Sequence, residues 1–351
     1  MTEQEILFGR DGRLAHVLLN RPKALNALTH GMCLAFAAQL REWEGDDRIG
    51  AVLIRGAGGK AFCAGGDIRK LYEEGRAGGA YPYRFYGDEY RLNAHIKRFA
   101  KPYIAFMDGI TMGGGVGFSV HGRRRIVTEN TVFAMPETGI GLFPDVGGTH
   151  FLSRCPGGIG MYLALTGARM KAADCLHARV ADAFVPAARL DELAAALARS
   201  ALRGDVAEID AMVATFAGDP GPSELARHRA TIDQCFAGDS VEAILGNLER
   251  AGTEFAADCA RVIRTKSPTS CKIAFRQVRA GANLSMDECM RLEWRVVTRV
   301  IRGHDFYEGV RAVIIDKDQK PRWNPARFED VSDAEIDRYF APPEEGELPL
   351  P

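Results

Sequence analysis

Two carboxylates eight positions apart, Glu137 and Asp145, lie in the stretch AMPETGIGLFPDVGG (134–148), which is otherwise mostly apolar and broken by glycine and proline. An acid placed among Phe, Leu, Ile and Met is desolvated, which raises its pKa and suits a general base or a carboxylate nucleophile. The same residues also read as a pair of helix N-caps or as surface carboxylates. Two glycine clusters offer complementary chemistry: AFCAGGDI (61–68) and TMGGGVG (111–117), each a short connection after a strand-like run. Residues without a Cβ let a ligand approach the backbone and permit positive φ, so such loops can aim N–H groups at a developing negative charge. Either cluster alone reads equally as a tight turn or as close helix packing.

Other chemistries find less support. Neither glycine cluster fits GxGxxG with an acid about 20 positions later, as a dinucleotide site requires. There is no GxSxG elbow, and the histidines, His121 and His150 included, show no triad pattern. The eight cysteines (33, 63, 155, 175, 235, 259, 271, 289) include no CxxC pair, and no His cluster has zinc-ligand spacing, so no metal is expected and the thiols should be reduced. Lys plus Arg number 45 against 46 Asp plus Glu in 351 residues, a balance that points to neither nucleic acid nor a membrane surface as partner. The first residues, MTEQEILFGRDGRLAHV, have no signal-like core, and no run approaches about 18 apolar residues, so a soluble cytoplasmic protein is expected.

The elements that must position these residues alternate through the first two hundred positions. Ala15 to Leu19, Ala51 to Arg55, Tyr103 to Met107 and Arg125 to Thr128 read as short strands. Leu25 to Trp43 reads as a helix, with Cys33, Phe36, Ala37 and Leu40 on one face. After about residue 190 helical periodicity takes over. Ser240 should cap a helix carrying Val241, Ile244, Leu245 and Leu248, and Ser285 with Glu288 forms a capping box before another. GDPGP (218–222) is the strongest breaker.

Taken jointly and in this order, the segments resemble the crotonase, or enoyl-CoA hydratase/isomerase, superfamily. NRPKALNA (20–27) resembles its first CoA-binding loop, AFCAGGDI its second, and DGITMGGGVGFS the segment bearing the other oxyanion donor. The resemblance implies backbone N–H donors at Gly66 and Gly114, and CoA contacts at Lys23, Ala24, Ala64, Asp67 and Ile68. MPETGIGLFPDVGGTHFL and the late DFYEGVRA (305–312), followed by Asp316-Lys317-Asp318, Lys320-Pro321 and Trp323, look like the family's 3-hydroxyisobutyryl-CoA hydrolase branch. Family hydratases use two glutamates, the first just after the triple glycine. Here Gly117 stands there, and only Glu137 remains. Asp145 matches the branch's second acid, and Glu89 matches a substrate-contacting acid, although a helix-surface glutamate is its ordinary reading.

The branch implies hydrolysis of a short-chain β-hydroxyacyl-CoA, with 3-hydroxyisobutyryl-CoA of valine catabolism as substrate and no cofactor besides the substrate's own coenzyme A. An enoyl-CoA hydratase or isomerase and a non-catalytic acyl-CoA-binding subunit remain as alternatives. The implied fold is α/β: a crotonase-like spiral of ββα units over 1–200, with a mostly helical 201–351 covering the active site, a frayed tail after about 341, and a homo-oligomer of trimeric type.

Overall fold

A computed structural model describes residues 4–344 and 346–350. Its strands are β1 (Ile6–Asp11), β2 (Leu14–Leu19), β3 (Ala51–Gly56), β4 (Ala61–Cys63), β5 (Tyr103–Met107), β6 (Ile110–Met112), β7 (Arg124–Val127), β8 (Val132–Ala134) and β9 (Ala183–Phe184). The helices that begin before residue 200 are α1 (His30–Glu44), α2 (Ile68–Arg76), α3 (Tyr81–Arg98), α4 (Gly114–Gly117), α5 (Gly148–Leu152), α6 (Ile159–Thr166), α7 (Ala172–His177) and α8 (Leu190–Arg199). Those that follow are α9 (Val206–Phe216), α10 (Glu224–Cys235), α11 (Val241–Ala251), α12 (Glu254–Ile263), α13 (Pro268–Gly281), α14 (Met286–Val300), α15 (His304–Val310) and α16 (Asp333–Phe340).

From β3 onward successive strands alternate between two sheets, and this alternation is the spiral. One sheet has the order β1-β2-β3-β5-β7-β9, and the other has β4-β6-β8. β1 and β2 form an antiparallel hairpin, whereas β2, β3, β5, β7 and β9 run parallel. A parallel sheet must be covered on both faces, which is why β3 and β5 read as continuous apolar runs. On one face Leu14, Leu53, Ile104, Phe106 and Ile126 pack with Leu193, Leu197, Ile209 and Val213 of α8 and α9. On the other, Phe36 of α1 meets Tyr103 and Phe118 with ring centroids at 6.3 and 5.3 Å.

The chain divides into two compact units, each assembled from separated segments. The first comprises 1–66, 92–133 and 169–224 and holds both sheets; the second comprises 67–91, 134–168 and 225–351 and is helical. Within the second, α13 packs against α5 and α6, and α14 against α5 and α16. The proline-rich end is held there too: Trp294 donates its indole N–H to the Gly346 carbonyl at 3.0 Å, and Leu348 is buried.

The helix read over 25–43 begins only at His30. Thr29 caps it, accepting the Met32 N–H, while Leu25 (φ 51°) and Asn26 (φ 57°) adopt left-handed backbone that no helix can include. The caps at Ser240 and at Ser285 with Glu288 form as expected. All eight cysteines are buried, and none is joined in a disulfide. Among the described residues no helix is long and apolar enough to cross a membrane, and no group of three or more His, Cys, Asp or Glu could hold a metal ion.

Candidate active site

The first unit builds the glycine loops. β4 and β6 run parallel, with Cys63 opposite Thr111, so the two loops leave the sheet at the same, carboxyl end. Gly65 has φ 117° and Gly113 φ 48°; each directly precedes a candidate donor, Gly66 or Gly114. These left-handed turns reorient the N–H that follows away from the strand ladder, a conformation side chains rarely allow. The loops are neighbours: a Cβ on Gly65 would stand 3.9 Å from the Gly113 Cα. Gly114 is the first residue of α4, where an N–H has no acceptor within the helix. The arrangement can present two convergent N–H donors to an oxyanion.

The loop carrying Lys23 and Ala24 is fastened to the same place. The Ala64 N–H donates to the Leu25 carbonyl (3.0 Å) and the Leu28 N–H to that of Gly65 (2.8 Å). Buried Asn26 accepts the Arg21 N–H and donates to the Ala57 and Ala61 carbonyls, each at 2.9 Å. Lys23 itself is exposed. Asp67 caps α2, accepting the Lys70 N–H, and Ile68 begins that helix, both in the second unit. The Arg123-Arg124-Arg125 triplet belongs to the surface, where Arg124 pairs with Asp210 and Arg125 with Asp182.

The second unit gathers the acids. Glu137 opens a 3-10 turn and is 4% exposed; Asp145 is 3% and Glu89 2%. Asp145 accepts the Tyr90 hydroxyl at 2.8 Å. Glu89 Oε1, Glu137 Oε2 and the Tyr86 hydroxyl are buried without a hydrogen-bond partner in the protein. A buried polar group left unpaired is costly, and such groups in one neighbourhood mark a place built for a ligand. Burial pushes Glu137 well above the usual carboxylate range, the Asp145 charge adds to this, and Lys266 opposes it. Burial likewise raises Glu89, reinforced by Asp145 and Glu293. Asp145 is pushed up to about 7 by burial against the pull of the Tyr90 hydroxyl.

Glu293, Tyr86, Tyr90 and Lys266 escaped the sequence reading. Glu293, fully buried on α14, is pushed up to about 8 by burial. Its signal was a charge on the stripe Met286, Met290, Val297, at helical spacing. Tyr86, Glu89 and Tyr90 follow the same i, i+3, i+4 spacing on α3, so Glu89 faces inward. Lys266 Nζ lies beside the Glu137 turn, 3.3 Å from where a Gly139 Cβ would stand.

These acids make stability depend on pH. An acid whose pKa is higher folded than unfolded keeps an extra proton in the native state, and the stability this confers is complete below the unfolded value. It is lost as pH rises through about 7 for Asp145 and about 8 for Glu293. Denaturant unfolding should therefore show lower stability at about pH 8 than at about pH 5, with a smaller difference in Asp145→Asn. Identical slopes for the two proteins would mean that Asp145 titrates normally.

The enoyl-CoA hydratase/isomerase family model matches residues 14–340. The mitochondrial 3-hydroxyisobutyryl-CoA hydrolase of Xenopus tropicalis is 47% identical over 340 residues, 96% of this chain and 88% of that one. A solved carnitinyl-CoA dehydratase from Mycobacterium thermoresistibile superposes with TM-score 0.93 at 43% identity, covering 99% of each chain. An enoyl-CoA hydratase from Rhodobacter sphaeroides 2.4.1 gives TM-score 0.91 at 40% identity, covering 99% of this chain and 100% of that one.

Proposed function

This chain belongs to the enoyl-CoA hydratase/isomerase superfamily, in its 3-hydroxyisobutyryl-CoA hydrolase branch, and on that premise we propose that it hydrolyses 3-hydroxyisobutyryl-CoA to 3-hydroxyisobutyrate and coenzyme A. The observation that carries hydrolysis over hydration is Gly117. It lies in α4, where a family hydratase has its first glutamate, and it supplies no carboxylate.

In this reading the thioester oxygen accepts from the Gly66 and Gly114 N–H groups, each such donor typically being worth roughly a hundredfold to a thousandfold in rate. Glu137 acts in one of two ways. As a base it takes a proton from water, whose oxygen adds to the carbonyl carbon; the tetrahedral adduct then expels CoA thiolate, which is protonated. As a nucleophile its carboxylate oxygen adds instead, thiolate leaves, and water opens the anhydride to free acid and Glu137. Asp145 and Glu89 orient the substrate hydroxyl or the water, and Lys23, Ala24, Ala64, Asp67 and Ile68 meet coenzyme A. Eight buried cysteines outside any disulfide support a reducing compartment such as the cytoplasm.

The discriminating assay follows thiol release from 3-hydroxyisobutyryl-CoA, with crotonyl-CoA hydration in parallel. CoA release with the crotonyl double bond intact is expected. Hydration without thiol release would replace this reading by the hydratase one, to which the descriptions of the two solved relatives lend support. CoA binding with neither activity would identify a non-catalytic subunit.

A further inference from the structure

The loop that carries Asp145 is gripped by two buried side chains from the C-terminal helices. Glu293 of α14 is 0% exposed, and a buried carboxyl group there is tolerable only if hydrogen bonds replace the water it gave up. Both oxygens are so engaged: Oε2 accepts the Gly147 N–H at 2.8 Å, and Oε1 accepts the Thr149 N–H at 2.9 Å. Gln277 of α13, equally buried, donates Nε2 to the Pro144 carbonyl at 2.5 Å. The chain is thus pinned at 144, 147 and 149, on both sides of Asp145.

What is pinned is strained. Val146 has φ 51° and Gly147 φ 89°. A β-branched residue in left-handed backbone is disfavoured by steric contact with the following carbonyl and persists only where its surroundings over-determine it. With the grip released, residues 145–147 would relax, and the carboxylate held by the Tyr90 hydroxyl would turn with them.

We infer that Glu293 is a positioning residue: by accepting the Gly147 and Thr149 N–H groups it holds the strained backbone that sets the Asp145 carboxylate against substrate. The inference rests on the reading of Asp145 as a substrate-orienting acid. Glu293 touches no reacting atom, so its whole effect on rate passes through Asp145.

The test is a double-mutant cycle with a structural readout. Glu293→Gln keeps the shape of the side chain but leaves only one acceptor for two N–H groups. It should lower kcat/KM for 3-hydroxyisobutyryl-CoA by on the order of tenfold to a hundredfold, the scale expected of a misplaced orienting group. In an Asp145→Asn background the same change should have little further effect, because coupled residues are not additive. Hydrogen exchange at the Gly147 and Thr149 amides should accelerate in Glu293→Gln while that of α13 and α14 does not. An equal fold-loss in both backgrounds, or unchanged exchange at those two amides, overturns the inference. If Asp145→Asn alone hydrolyses at the native rate, the assignment of Asp145 has failed, and Glu293 has no acid to position. Accelerated exchange in that case would show the grip to be structural only.

Discussion

Glu137→Gln is expected to cut thiol release from 3-hydroxyisobutyryl-CoA by about a hundredfold to ten thousandfold, the usual contribution of a positioned acid–base group, with little change in KM. The amide is isosteric, and Glu137 Oε2 has no hydrogen-bond partner in the protein to lose. The turn itself is secured by its backbone: the Leu142 N–H donates to the Glu137 carbonyl (3.0 Å) and the Ser267 N–H to that of Thr138 (3.1 Å). Replacing a desolvated acid by a neutral amide should therefore leave thermal stability intact. The native enzyme should also lose kcat/KM on acidification at a pH above the ordinary carboxylate range, because burial and Asp145 raise Glu137 and the group must be ionised to act. Hydrolysis at the native rate in Glu137→Gln would rule out the base and nucleophile roles together.

Gly115→Ala should be nearly as damaging, by geometry. A Cβ at that position would fall 2.2 Å from the Cys63 carbonyl oxygen and 2.8 Å from its Cβ. Cys63 ends β4 and its backbone cannot give way, so α4 must retreat from the strand. The candidate donors flank this contact: Gly66 follows β4, and Gly114 opens α4. Displacing one relative to the other should cost about a hundredfold to a thousandfold in kcat, the typical loss of one oxyanion donor. The overpacking itself should cost about 1–3 kcal/mol, read from denaturant midpoints. Gly9→Ala is the control, since a Cβ there meets nothing within 4 Å. A folded Gly115→Ala enzyme with native kcat would remove Gly114 from the oxyanion assignment.

Much of the scaffold was legible because its signals are local. Ser240 and the Ser285–Glu288 box start helices through bonds spanning three residues, so spacing alone identifies them. Ala51 to Arg55 and Tyr103 to Met107 read as strands from residue type alone, and β3 and β5 form there. The start of α1 was harder to see. It depends on left-handed backbone at Leu25 and Asn26, and Asn26 is held there by carbonyls more than 30 positions away.

The sequence by itself determined the alternation of strands and helices, the two glycine loops, and an acid pair set in an apolar stretch. Each is a matter of residue type and near neighbours. Only the tertiary structure decided that Glu89 is buried rather than solvated, that Tyr90 donates to Asp145, and that Glu293 and Gln277 grip the loop between them. These partners lie 55 to 146 positions apart, and a helix presents the same pattern of charge whether water or another helix covers it. Which acids shift, and which backbone strain is held, follows from what packs against each face, because desolvation is a property of the assembled interior.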